Sequence, residues 1–200
     1  LAERFGVDVW EAIDLANRHP RVKILTPGPG VGGHCISVDP WFLVEKAPEL
    51  TPLIYTSRQV NDSQPAFVLD LVKKAVGSLK GKKIAALGLA YKPDVDDLRE
   101  SPAVEVVHLL QSEGAIVTAY EPFKPDARLP GIRAVATLEE AVSEAQAILL
   151  LVQHTDLCKM SAAEYTGISP ARIAIDTVNG WESEEWQKAG FQLFRLGVNK

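Results

Sequence analysis

Sulfur is scarce in this chain: its 200 residues include two cysteines, Cys35 and Cys158, and a single methionine. Two thiols are too few for a disulfide framework and fit a reducing cytoplasm. No apolar run approaches the roughly twenty residues that a membrane-spanning helix requires, and no leader pattern opens the chain. A positive charge excess is missing too. Lys and Arg number 21 against 26 Asp and Glu, a net charge of −5, so nothing attracts nucleic acid or an anionic membrane in general, and any phosphate must be met locally. His108, His154 and Cys158 have no partners at metal-ligand spacing. What remains is ordinary for a globular protein, 46% hydrophobic and 24% charged. That length accommodates one large domain, or a smaller one with a helical segment.

The stretch Pro27 to Leu43, PGPGVGGHCISVDPWFL, departs from that background. Gly28, Gly30, Gly32 and Gly33 remove side-chain bulk and permit positive φ, so the main chain can lie directly against a ligand. Cys35 follows them, and Asp39 before Pro40 reads as the N-cap of a helix with Pro40 at its first position. A thiol just ahead of a helix N-terminus feels the positive end of the dipole, which favours thiolate. Gly28, Gly30 and Gly33 also satisfy GxGxxG. A dinucleotide fingerprint, however, needs a helix opening directly out of the glycines and an acidic residue ending a second strand downstream. HCISVDP follows instead, and the fingerprint is rejected.

Along the chain, Asp8 is expected to cap a helix ending near His19, with Val9, Ile13, Leu15 and Ala16 available for burial and Pro20 as its stop. Pro40 to Ala47 reads as a short helix. TPLIYTSRQVNDSQPAFVLDLVKKAVGSL then reads as one long amphipathic helix or two abutting ones, with Pro65 placed to kink it and Arg58, Asn61 and Asp62 on its polar face. From Gly81 the pattern becomes alternating: KKIAALGLA, AIVTAYEP, AILLLVQH, RIAIDTV and FQLFRLG as strands, and a weaker one near Ile132 to Ala136. Helices are expected at Pro102 to Glu113, Leu138 to Glu144 and Ser183 to Lys188. The fold class is therefore α/β: a helical connecting segment over residues 1–80, then a doubly wound, mainly parallel Rossmann-like sheet over 81–200.

A ligand of such a sheet sits at the strand C-terminal edge beside the first crossover, where GLAYKPDVDDLRESPA falls. Lys92 and Arg99 bring positive charge, Ser101 before Pro102 caps a helix whose free N–H groups favour anions, and Tyr91 offers a flat face. Read alone, Lys92 and Arg99 pair equally well with Asp94, Asp96, Asp97 and Glu100 as a surface network.

GPGVGGHCISVDPWFL, preceded by ANRHPRVKIL and followed by GLAYKPDVDDLRESPA, resembles the UDP-glucose/GDP-mannose dehydrogenase family over essentially all of the chain, and most of all its UDP-N-acetylmannosamine branch. The resemblance implies that Cys35 traps the aldehyde formed when NAD oxidises the sugar's primary alcohol. The resulting thiohemiacetal is oxidised by a second NAD to a thioester, which water cleaves to the carboxylate. Asp39 would orient that water or assist proton transfer. It further implies that Tyr91 and Lys92 contact the UDP-sugar, that Arg99 reaches NAD, that a homodimer forms through the central helix, and that His19, Arg21 and Gly32 serve a neighbouring subunit's substrate. The family places an NAD-binding domain and a catalytic lysine and asparagine ahead of the region present here. The abrupt start at Leu1 then implies a fragment without turnover of its own. Many relatives carry an arginine after the fifth strand; here Val178 and Asn179 stand there, so Asn179 either substitutes as a neutral donor or the contact is lost. UDP-glucose and UDP-N-acetylglucosamine remain alternative substrates, since HPRV and VDPWFL alone favour N-acetylmannosamine. Two other classes stay open: a nucleotide-sugar-binding module, and a thiol enzyme without nicotinamide built on His34, Cys35 and Asp39. Adjacent His34 and Cys35 are expected to project differently from an extended loop, which counts against the last.

Overall fold

The computed structural model describes residues 1–198. Helices α1 (Ala2–Phe5), α2 (Val9–Asn17), α3 (Asp39–Lys46), α4 (Pro52–Asp62) and α5 (Gln64–Val76) precede strand β1 (Lys83–Leu87). There follow α6 (Pro102–Ser112), β2 (Ile116–Tyr120), β3 (Arg133–Val135), α7 (Leu138–Val142), β4 (Ala147–Leu150), α8 (Thr155–Lys159), α9 (Ala162–Ile168), β5 (Ile173–Asp176), α10 (Ser183–Lys188) and β6 (Gln192–Arg195). The strands form one six-stranded sheet in the order β3-β2-β1-β4-β5-β6, with every adjacent pair parallel. That order reverses direction between β1 and β4, as in dinucleotide-binding sheets.

Period-two alternation divides the core between two faces. Ile84 and Ala86 of β1 pack with Val68 and Val72 of α5 and with Val106, Val107 and Leu110 of α6. Ala85 and Leu87 face the other way, toward Val142 of α7, Tyr165 of α9 and Trp186 of α10. Central strands buried on both sides read as the continuous apolar runs seen in the sequence. On the second face Trp186 is fully buried, its ring stacked on Trp181 with centroids 3.9 Å apart and packed against Tyr165 and Phe191. Trp186→Ala should lower unfolding stability by about 3–5 kcal/mol, read as a denaturation midpoint shift, because the cavity it leaves is walled by rigid rings.

The helical segment is fastened to the same molecule. Asp8 does cap α2, accepting from the Trp10 and Glu11 amides at 2.9 and 3.3 Å. Trp10, the buried residue of α2, donates its Nε1–H to the Leu196 carbonyl just beyond β6 at 2.8 Å. Leu15, expected to be available for burial, is exposed. The long stretch before the sheet is two abutting helices meeting at Ser63, with Pro65 inside the first turn of α5, where its missing N–H costs nothing. Helices α8 and α9 were not expected from the sequence.

Candidate active site

At the β1/β4 reversal lies a crevice of about 450 Å³. One wall is the glycine run, Thr26 to Val31; the other is Ala90 to Pro93 after β1, with Leu151 to Gln153 after β4 and Val178 after β5. Pro102 and Ala103 of α6 also line it, so the helix N-terminus capped by Ser101 opens into it. Lys92 is the one charged side chain among its lining residues. Such a site suits a diphosphate, with Tyr91 as the flat surface beside it.

Close approach sets the glycine pattern. A Cβ on Gly32 would stand 2.2 Å from the Glu100 carbonyl oxygen and 2.7 Å from Pro102 Cδ, and one on Gly33, whose φ is +93°, 2.8 Å from the Tyr91 ring. The run is therefore bare because it packs on the start of α6 and on Tyr91. Helix α4 grips the same loop at two points. Asn61 accepts from the Val31 amide at 2.7 Å and donates back to its carbonyl at 3.1 Å. Arg58, 8% exposed, donates to the Ile36 carbonyl at 3.4 Å and pairs with Asp62 at 2.5 Å. Reading these three only as a polar face missed that role. Periodicity identifies a face, not what docks on it.

Beyond Gly33 the loop turns, with the Cys35 carbonyl accepting from the Val38 and Asp39 amides at 3.0 and 2.8 Å. Asp39 is not the N-cap: Val38 takes that position and Asp39 is the first residue of α3, its side chain making no cap bond. That leaves its side chain exposed, four residues after Cys35 in the sequence. Cys35 is exposed and lines neither this crevice nor the adjoining one behind α4. Its Sγ lies 3.0 Å from His34 Nδ1, so the two adjacent side chains converge, contrary to the expectation that they diverge. Tyr91 borders both places, lining the crevice and backing Gly33. Arg99 is exposed near Cys35 and chelates Asp97, with Nη2 to Oδ2 at 2.6 Å, and this hydrogen bonding holds the Asp97 carboxyl well below the usual range.

His19 and Arg21 are exposed after α2 and do not line the crevice; the Arg21 amide donates to His19 Nδ1 at 3.2 Å. Asn179, at a left-handed φ of 55°, accepts from Arg195 of β6, so its oxygen is committed there while Val178 faces the crevice. The Cys158 thiol is partly buried, and burial is the main cause that pushes it up to about 12. Among the described residues no cluster of ligating side chains could hold a metal ion, and no helix is long and apolar enough to cross a membrane.

Under the Tyr91–Lys92 segment lies buried Glu121, which accepts from the Leu89 and Ala90 amides at 2.7 and 2.9 Å. Burial raises its pKa, but the His154 hydrogen bond and the Leu89 and Phe123 amides outweigh that, and the net value lies below the ordinary one. A depressed carboxyl stabilises fully above the unfolded value of about 4.3 and loses its effect as pH falls through the lower folded value. Exchange of the Leu89 and Ala90 amides, corrected for intrinsic rate, should therefore stay slow down to about that pH and accelerate below it. His154 is the other titratable group in contact with this carboxylate, and exposed Asp94 lies beyond it.

Two models of one family match the chain: the central domain of the UDP-glucose/GDP-mannose dehydrogenase family over residues 1–63 and its UDP binding domain over 85–183. A UDP-N-acetyl-D-mannosamine dehydrogenase of Methanocaldococcus jannaschii is 45% identical over 203 residues, covering 100% of this chain and 46% of that protein. An NDP-N-acetyl-D-galactosaminuronic acid dehydrogenase of Ralstonia solanacearum is 46% identical over 187 residues, covering 92% and 43%. The solved UDP-D-ManNAc dehydrogenase of Pyrococcus horikoshii superposes with a TM-score of 0.83 at 35% identity, over 99% of this chain and 46% of that one. The chain thus spans about half the length of the relatives it matches. With the crevice at the sheet reversal, the glycine-cysteine loop against it and both domain matches in sequence order, this chain belongs to the UDP-glucose/GDP-mannose dehydrogenase family.

Proposed function

We propose that the chain is the substrate-handling half of an NAD-dependent UDP-sugar 6-dehydrogenase that converts UDP-N-acetylmannosamine to its uronate. UDP-N-acetylglucosamine or UDP-glucose is the alternative substrate. The observation that carries the reading is the pairing of a crevice whose one charge is Lys92 with an exposed thiol on the loop that walls it. Residues 81–200 hold the nucleotide end through Lys92, Tyr91 and the α6 N-terminus. Residues 1–80 bring Cys35 to the sugar. Support for the substrate comes from the relatives named for UDP-N-acetylmannosamine, at 45% identity over the whole chain in one case.

In this mechanism His34 Nδ1, 3.0 Å from the sulfur, takes the thiol proton. The Cys35 thiolate adds to the C6 aldehyde, holding it as a thiohemiacetal. Loss of hydride leaves a thioester, and Asp39, exposed on the first turn of α3, orients the water that cleaves it. NAD, when bound, supplies the hydride acceptor for each of the two oxidations. This sheet lacks the glycine fingerprint for it; the exposed Arg99 guanidinium fits an anionic cofactor once released from Asp97. A homodimer would form through the central helical stretch, α4 and α5, where Leu53 and Phe67 are exposed large apolar residues. His19, Arg21 and Gly32 would then serve the neighbouring subunit's sugar nucleotide. Free cysteines fit residence in the cytoplasm.

Calorimetric titration of the chain with UDP should give saturable binding. Supplying UDP-sugar and NAD to the same sample should yield no NADH, because the chain spans about half the length of its relatives and its sheet carries no glycine fingerprint for NAD. A chain that ignores UDP, or that turns over unaided, contradicts the reading.

A further inference from the structure

Dinucleotide-binding sheets of this strand order carry an acidic residue at the end of β2 that faces a ribose. Here the corresponding residue, Glu121, follows β2 and turns inward, 1% exposed. Its Oε2 takes the Leu89 and Ala90 amides at 2.7 and 2.9 Å and meets His154 Nε2 at 3.0 Å, and its Oε1 takes the Phe123 amide at 3.0 Å. His154 is fully buried after β4, and its Nδ1 accepts the Asp94 amide at 2.9 Å. An acceptor at Nδ1 leaves the proton on Nε2, so the ring is neutral and donates to Glu121. Asp94, at a left-handed φ of 57°, accepts in turn from the amide and hydroxyl of Thr155 at 2.8 and 2.6 Å.

These bonds fasten the segment on both sides of Tyr91 and Lys92: Leu89 and Ala90 to Glu121 before them, Asp94 to His154 after them. Burying a carboxylate is costly, and a glycine-rich turn would close this loop without one. Directing Glu121 inward also leaves the crevice with no carboxylate to repel a diphosphate. We propose that Glu121 and His154 are positioning residues that set Lys92 and Tyr91 against the nucleotide end of the substrate, an inference that rests on reading the crevice as the nucleotide site.

The test combines UDP calorimetry with amide exchange on the chain and its variants. In Glu121→Gln the amide NH₂ must face one of the backbone donors, and UDP affinity should fall about tenfold or more. Exchange over residues 89–94 should accelerate by a similar factor, while α9 and β5 keep their protection. His154→Asn, which keeps an acceptor for the Asp94 amide, should retain more affinity than His154→Leu. Unchanged UDP affinity in Glu121→Gln, or faster exchange throughout the sheet, overturns the positioning role. Equal affinity in the two His154 variants overturns the part assigned to His154. A parent chain that binds no UDP overturns the crevice reading itself, and is distinguished by failing before any substitution is made.

Discussion

On the proposed mechanism, Cys35→Ala in an active dehydrogenase carrying this chain should lower kcat for carboxylate formation by about a thousandfold or more, with UDP affinity changed by less than about twofold. The asymmetry follows from placement. The sulfur lies beyond Gly33 and lines no part of the crevice, so removing it takes nothing from the nucleotide's surroundings. Without covalent capture, the aldehyde has no thiohemiacetal through which to lose its second hydride. NADH formed per sugar consumed should therefore drop from two to one. Retained carboxylate formation would remove Cys35 from the chemistry, and a parallel loss of UDP affinity would show that the thiol shapes the crevice.

Gly32→Ala should cut UDP affinity by about tenfold or more and abolish turnover, at a stability cost of only about 1–3 kcal/mol. The added methyl would stand 2.2 Å from a backbone oxygen and 2.7 Å from a proline ring carbon, neither of which is the free end of a flexible side chain. The loop must lift from α6, which widens the crevice and displaces the cysteine turn together. Gly167→Ala is the matched control. Its Cβ meets nothing within 4 Å, and the residue lies within α9, so alanine there should be neutral or slightly stabilising. Equal behaviour of the two variants would mean that the glycine run does not need its close contacts.

The sheet was legible because its central strands are buried on both sides and leave continuous apolar runs, and because those runs alternate with helical periods. Even the weak third strand, Arg133–Val135, lies inside the stretch expected for it. Helix α9 could have been found from its SAAE capping box, in which Ser161 and Glu164 bond reciprocally. What sequence could not supply were partners distant in the chain. Arg58 and Asn61 look like solvated polar residues until the loop 22 and 30 positions away folds onto them. Glu121 in AYEP and His154 at a strand end have no local signature, since their significance comes from meeting each other and the backbone after β1 across 33 residues. Asp39 before Pro40 is a sound cap signal, displaced here because the Cys35 carbonyl draws the Val38 and Asp39 amides into a turn that begins the helix one residue sooner.

The most direct measurement is rapid quenching of an active dehydrogenase carrying this chain, mixed with UDP-N-acetylmannosamine and NAD, followed by peptide mass spectrometry. The proposed chemistry predicts a uronyl thioester on the peptide containing Cys35, removed by hydroxylamine and more abundant in Asp39→Asn. Steady turnover with that peptide unmodified, or with the sugar attached elsewhere, would contradict it.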